Sequence, residues 1–246
     1  MRLKTLLASA LAAPIAVLAF AGTSLAQEDP TPPSTKIVGG GPATETYSWM
    51  ASLQSSSGSH GCGGTLVGPR HVVTASHCGT PYQVRIGTTN RTSGGEVRRV
   101  SSRQQLGGDV SLLTLASAST KTPAPIASSA PVGSATRIIG WGQTCPVRGC
   151  GPAPITLQQL DTSILSDSRC SGISAASELC INGGNGKGAC YGDSGGPAVT
   201  GGPGSWQLVG ATSRGTAGTC ATSPAIYGDV TYYKATIERI IGGGLR

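Results

Sequence analysis

Seven short runs rich in Val, Ile, Leu and Thr set the strongest limit on what this chain can fold into. They are Trp49–Gln54, His71–Ala75, Gln83–Ile86, Val97–Ser101, Val110–Leu115, Ala135–Ile139 and Trp206–Thr212, each with turn residues close by. Runs of four to seven residues, repeated and punctuated by glycine, form many-stranded antiparallel proteins. Ala116–Ser134, rich in Pro, Ala and Ser, reads as a connector between two halves. Only the end reads as a helix. From Thr231, a plausible N-cap, Tyr233, Ile237, Ile240 and Ile241 fall on one face before Gly242, Gly243 and Gly244 stop it.

The N-terminus carries a different signal. Arg2 and Lys4 precede a mostly apolar run from Leu6 to Ala21, and Ser24-Leu25-Ala26 offers small residues where a signal peptidase reads them. A membrane anchor needs about 20 apolar residues, and this run is slightly short with a cleavage site directly behind it. A cleaved signal over residues 1–26 and a secreted protein that does not enter a membrane once the signal is gone are expected. Gln27–Lys36 contains three prolines and several polar residues and is a poor candidate for packed structure. It is either a short tail or a propeptide.

Loss of residues 1–36 leaves 210 residues with 15 Lys and Arg against 9 Asp and Glu, enough chain for a real core. Arg98, Arg99 and Arg103 form the one basic cluster, without interleaved aromatic residues, so a nucleic-acid partner is not expected. All eight cysteines, Cys62, Cys78, Cys145, Cys150, Cys170, Cys180, Cys190 and Cys220, follow the expected signal. An even number in an exported chain points to disulfides. With no Cys-x-x-Cys pair and three histidines in all, a metal is not expected, nor is any cofactor.

Gly192-Asp193-Ser194-Gly195-Gly196-Pro197 is the segment richest in chemistry. A serine nucleophile needs a base and a site for the oxyanion, and flanking glycines let backbone N–H groups approach a substrate carbonyl. By itself the stretch also fits an incidental serine in a glycine-rich turn, or the Gly-x-Ser-x-Gly elbow of α/β-hydrolases. Chain order discriminates. His60, His71 and His77 all precede Ser194, which excludes the hydrolase order. The sole aspartate before His77 is Asp29, in the segment expected to be lost, which excludes the subtilisin order. His, then Asp, then Ser remains. Among Asp109, Asp161, Asp167 and Asp193, Asp109 begins an apolar run that can carry it inward, so His77, Asp109 and Ser194 are the expected catalytic residues.

Here the chain resembles the chymotrypsin/trypsin family over essentially all of residues 37–246. The matching segments, in order, are Ile37-Val38-Gly39-Gly40, Cys62-Gly63-Gly64-Thr65-Leu66, Thr74-Ala75-Ser76-His77-Cys78, Asp109-Val110-Ser111-Leu112-Leu113, Ile139-Gly140-Trp141-Gly142 and Gly192–Pro197. Ser76 stands where the family usually has Ala. The resemblance implies an all-β fold of two six-stranded antiparallel barrels with a C-terminal helix, the first barrel over about residues 37–115, the connector over 116–134, and the second barrel and helix over 135–246. It implies a serine endopeptidase with a protein or peptide as partner and a monomeric state. The backbone N–H groups of Gly192 and Ser194 would bind the oxyanion. Activation would require a protease cutting after Lys36, so that the freed amino group of Ile37 pairs with Asp193. The implied disulfides are Cys62–Cys78, Cys170–Cys180 and Cys190–Cys220, with Cys145 and Cys150 left to each other because residues 198–205 lack the cysteine many relatives carry.

By the same resemblance Gly188, Ala189, Ser213, Gly215 and Ala225 line the substrate pocket, where trypsin-like members hold an Asp at the position of Gly188. An uncharged pocket implies apolar P1 residues, in the chymotrypsin or elastase manner. Arg214 replaces the Trp usual beside the substrate. His60 and His71 have no expected catalytic role. Glu96 stands alone in the loop where some relatives bind calcium, and Asn90-Arg91-Thr92 is a glycosylation sequon in a host that performs the chemistry. The rival readings are a non-catalytic, protease-like binding protein, which usually lacks a triad residue, and a disulfide-stapled structural domain, which leaves the His-Asp-Ser order unexplained.

Overall fold

A computed structural model describes residues 37–243; the expected signal, residues 1–26, and propeptide, residues 27–36, lie outside the described residues. After a two-residue strand β1 (Gly41–Pro42) come β2 (Met50–Gln54), β3 (His60–Gly68), β4 (His71–Ala75), β5 (Gln83–Ile86), β6 (Glu96–Gly107) and β7 (Val110–Leu115). β2 to β7 close into an antiparallel barrel in the order β2-β3-β4-β7-β6-β5. The second half holds β8 (Ala135–Gly140), β9 (Gln158–Leu165), β10 (Glu178–Ile181), β11 (Pro197–Thr200), β12 (Gln207–Gly215) and β13 (Ala225–Asp229). Their order is β9-β10-β13-β12-β11-β8, and pairing of β8 with β9 closes the second six-stranded barrel, to whose β9 the short β1 adds. Closure leaves no long free edge in either half.

Apolar side chains of each barrel point inward. Leu53, Leu66, Val72, Val84, Ile86 and Leu113 fill the first, and Ile138, Leu160, Ile164, Leu179, Ala198, Val209 and Tyr227 the second. Ile37 is fully buried in the second core, a contribution of about 1.5–3 kcal/mol for a side chain of that size. The helix α1 (Lys234–Gly243) returns to the first half, with Tyr233 and Ile237 in its core and Ile241 against Gly68.

Two details differ from the sequence expectation. Thr231 does not accept a helix N–H; its hydroxyl donates to Asp229 Oδ1 at 2.6 Å, and the helix begins three residues later. The strand expected over Val97–Ser101 runs on to Gly107, because residues 102–107, polar as far as Gln105, pair with β7 through the backbone. No helix among the described residues is long and apolar enough to cross a membrane.

Candidate active site

The register of β4 against β7 brings the histidine and aspartate segments together. Ala75 pairs with Val110, so Ser76 and Asp109 stand opposite each other, and the Ser76 N–H donates to the Asp109 carbonyl at 2.9 Å. His77 follows in a single 3-10 turn, Ser76–Cys78. Its backbone N–H donates to Asp109 Oδ1 at 2.9 Å and its ring Nδ1 to Oδ2 at 2.7 Å. From β12, Ser213 Oγ donates to the same Oδ2 at 2.7 Å.

These contacts order the protonation states. Burial pushes the Asp109 carboxyl up, but the hydrogen bonds from His77 and Ser213 outweigh it and hold it below the usual carboxylate range. His77 is held above the usual imidazole value, first by its hydrogen bond to Asp109, against the effect of burial. An imidazole whose Nδ1–H is committed to a carboxylate keeps Nε2 available to receive a proton.

Ser194 lies in the long segment between β10 and β11. Its carbonyl accepts the Gly63 N–H at 2.8 Å, beside the Cys62–Cys78 disulfide that also anchors His77. On its other side the Gly195 N–H donates to Thr212 O at 2.8 Å. Among the described residues the Ser194 hydroxyl makes no hydrogen bond to His77; such bonds are often long before substrate binds. Ser194, Gly188, Ala189, Ser213, Gly215 and Ala225 line one cavity of about 290 Å³, and among the described residues no Asp or Glu lines it.

Asp193 turns away from the cavity into the protein. Its Oδ1 accepts the Gly142 N–H at 2.8 Å and its Oδ2 the Cys190 N–H at 2.9 Å. A Cβ at position 142 would overlap this carboxyl group, so only glycine fits there. Burial pushes the carboxyl up to about 7, against the two N–H donors.

His60, one of the two histidines without an expected catalytic role, lies against the same segment. Its Nε2 donates to the Gly192 carbonyl at 3.0 Å, its Nδ1 lies 2.8 Å from Ser52 Oγ, and its ring packs edge-on to Trp141. Gln54 Nε2 donates to Ser52 Oγ at 3.1 Å, leaving the Ser52 proton for His60 Nδ1 and fixing the neutral tautomer. Nothing local in the sequence marks His60, since its partner lies 132 residues away. His71 begins β4, and its Nδ1 is buried without a partner.

Disulfides join Cys62 to Cys78, Cys145 to Cys150, Cys170 to Cys180, and Cys190 to Cys220. Arg214, beside the cavity, is held by Glu178 through two bonds of 2.5 and 2.9 Å. Glu96 is occupied by Ser119, Thr120 and Arg98.

Comparison with known proteins agrees with this architecture. The family model described as Trypsin matches residues 37–237. Trypsin delta of Drosophila erecta is 33% identical over 229 residues, covering 83% of this chain and 88% of its own length. Trypsin alpha of Drosophila melanogaster is 33% identical over 227 residues, covering 82% of this chain and 86% of its own. Trypsin alpha-4 of Lucilia cuprina is 34% identical over 221 residues, with coverages of 79% and 83%. With a family match over most of its length and the two-barrel fold to go with it, the chain belongs to the trypsin family and is a serine endopeptidase.

Proposed function

We propose that the chain is secreted as a zymogen and, once cut after Lys36, hydrolyses peptide bonds that follow apolar P1 residues. The observation that carries the catalytic part is the His77 Nδ1–Asp109 Oδ2 hydrogen bond of 2.7 Å, joined through Ser213 to the cavity that Ser194 and Ser213 line. Ser194 Oγ attacks the substrate carbonyl as His77 Nε2 takes its proton. The N–H groups of Gly192 and Ser194 stabilise the oxyanion, and His77 returns the proton to the leaving amine. Water then repeats the sequence to release the acyl group. Asp109 keeps the imidazole in the tautomer that leaves Nε2 free and stabilises its charged form.

Activation rests on Ile37 and Asp193. Ile37 is already buried in the second core, and Asp193 is a buried carboxyl that lacks a cationic partner among the described residues. Cutting after Lys36 frees an ammonium at Ile37 that offsets this charge and holds the Cys190–Ser194 segment in one state. Secretion is supported by four disulfides, which persist in oxidising surroundings.

The relatives named above are called trypsins. The cavity here, with Gly188, Ala189, Gly215 and Ala225 in its lining and no carboxylate, favours a different P1 residue. An apolar side chain gains about 1.5–3 kcal/mol on burial, whereas Arg or Lys would lose hydration without a buried partner. Peptide anilides differing only at P1 test this after cleavage at Lys36. Phe, Tyr, Leu and Met substrates are expected to lead, with Ala and Val next. Equal or better turnover of Arg and Lys substrates, together with inhibition by benzamidine, contradicts the apolar reading and leaves the triad intact.

A further inference from the structure

We infer that Arg148 selects substrates carrying an acidic side chain next to the scissile bond. The inference rests on the protease reading above and adds to it a second determinant of specificity.

Two arginines line the cavity, and they differ in what holds them. Arg214 is neutralised by the two-bond pair with Glu178. Arg148 is exposed, lines the mouth of the cavity, and has no carboxylate within ion-pair distance among the described residues. Its guanidinium lies 4.3 Å above the ring of Tyr191. That stacking orients the group while leaving its outward N–H donors free for a carboxylate.

The loop that carries Arg148 is tethered at several points rather than hanging free. Cys145–Cys150 closes it, and Gln143 braces it from within by accepting the Gly149 N–H at 3.2 Å and donating to Gly151 O at 3.0 Å. It is tied to the cavity wall by Gln143 N–H to Tyr191 O at 2.7 Å and Cys220 N–H to Pro146 O at 3.1 Å. Tyr191 directly precedes Gly192, so a substrate carbonyl held at Gly192 and Ser194 passes alongside the Tyr191–Arg148 pair. The P1 side chain descends into the uncharged cavity. The charge at the mouth therefore meets the residues flanking P1.

The test uses the Lys36-cleaved enzyme and one set of peptides with Leu at P1, each carrying Asp, Gln or Lys at a single position from P3 to P2′. At one or more of these positions Asp is expected to exceed Gln about two- to fivefold in kcat/KM, the range of an exposed ion pair. The preference should shrink in high salt. Arg148→Gln should abolish the Asp-over-Gln ratio, and Arg148→Glu should turn it into a preference for Lys. A ratio of one at every flanking position in the wild type, or an unchanged ratio in both variants, overturns the inference while the protease reading stands. Acid preference at P1 itself, read from one further pair of peptides with Asp or Gln in place of that Leu, overturns it too, since the charge would then act inside the cavity. No cleavage of any peptide, the Gln-bearing ones included, overturns the apolar P1 reading on which the set is built, and this inference with it.

Discussion

The imidazole of His60 and the carbonyl of Gly192 are joined by a 3.0 Å hydrogen bond that ties the first barrel to the segment proposed to hold the oxyanion. His60 is a positioning residue in this account: it touches no reacting atom, but it fixes the peptide that follows Gly192. One buried hydrogen bond contributes about 0.5–1.5 kcal/mol. His60→Ala should therefore lower kcat about three- to tenfold with KM little changed, and His60→Gln should recover part of the loss. A matching rise in KM, or no kinetic change beside a lowered Tm, would mean that His60 serves the core alone.

His60 and Asp193 should drive the stability of the uncut chain in opposite directions as pH changes. Burial pushes His60 down to about 4, below its ordinary 6.5, so the unfolded chain binds the proton more readily and stability falls as pH drops from 6.5 toward 4. Asp193 is pushed up to about 7, so the folded chain holds its proton longer and stability falls as pH rises from about 4 to 7. The two trends partly cancel in the uncut chain. Asp193→Asn should then leave stability rising from pH 4 to 6.5, and His60→Gln should leave it falling. Urea titrations of the uncut chain across that range check both signs.

Activity should have its own acidic limb. His77 must be neutral to accept a proton, and its hydrogen bond to Asp109 raises its pKa above the ordinary imidazole value. The kcat/KM profile is expected to rise with pH through a midpoint above 6.5. Asp109→Asn should cut the plateau by several orders of magnitude and move the residual midpoint to lower pH. A large residual rate with an unmoved midpoint would mean that Asp109 does not face the working histidine.

Gly188 offers a sharp test of the cavity. Its φ of +148° is one that side chains rarely adopt, yet a Cβ there would meet nothing nearer than 3.6 Å. Gly188→Asp should fold with a loss of about 1–3 kcal/mol and shift P1 preference from Leu and Phe toward Arg and Lys. Unchanged P1 preference in a folded variant would show that Gly188 is not at the cavity's base.

The sequence disclosed the fold unevenly. His71–Ala75 and Val110–Leu115 stand out because nearly every residue is apolar or β-branched, Gln83–Ile86 because polar and apolar residues alternate, and the strands have those bounds. β3 was not legible. His60–Gly68 contains four glycines, and Gly63 is required because a Cβ there would press on the Gly196 backbone, a constraint set across the molecule. β9 was hidden by its polar residues, since only alternate positions such as Gln158, Leu160 and Ile164 face inward. At the site, chain order alone excluded two rival triads. The supports of that triad, Ser213 on Asp109 and His60 on Gly192, depend on contacts between residues more than 100 apart, which no local pattern records.

The most direct test of the proposed mechanism is covalent titration of the serine. Protein cleaved after Lys36, with Ile37 confirmed as its first residue, is treated with a fluorophosphonate, and the adduct is located by mass spectrometry while anilide hydrolysis is followed. The account predicts one adduct per chain, on Ser194, with activity lost in proportion to labelling, and neither labelling nor turnover in Ser194→Ala or in the uncut chain. Labelling at another serine, or normal turnover by folded Ser194→Ala, would contradict it.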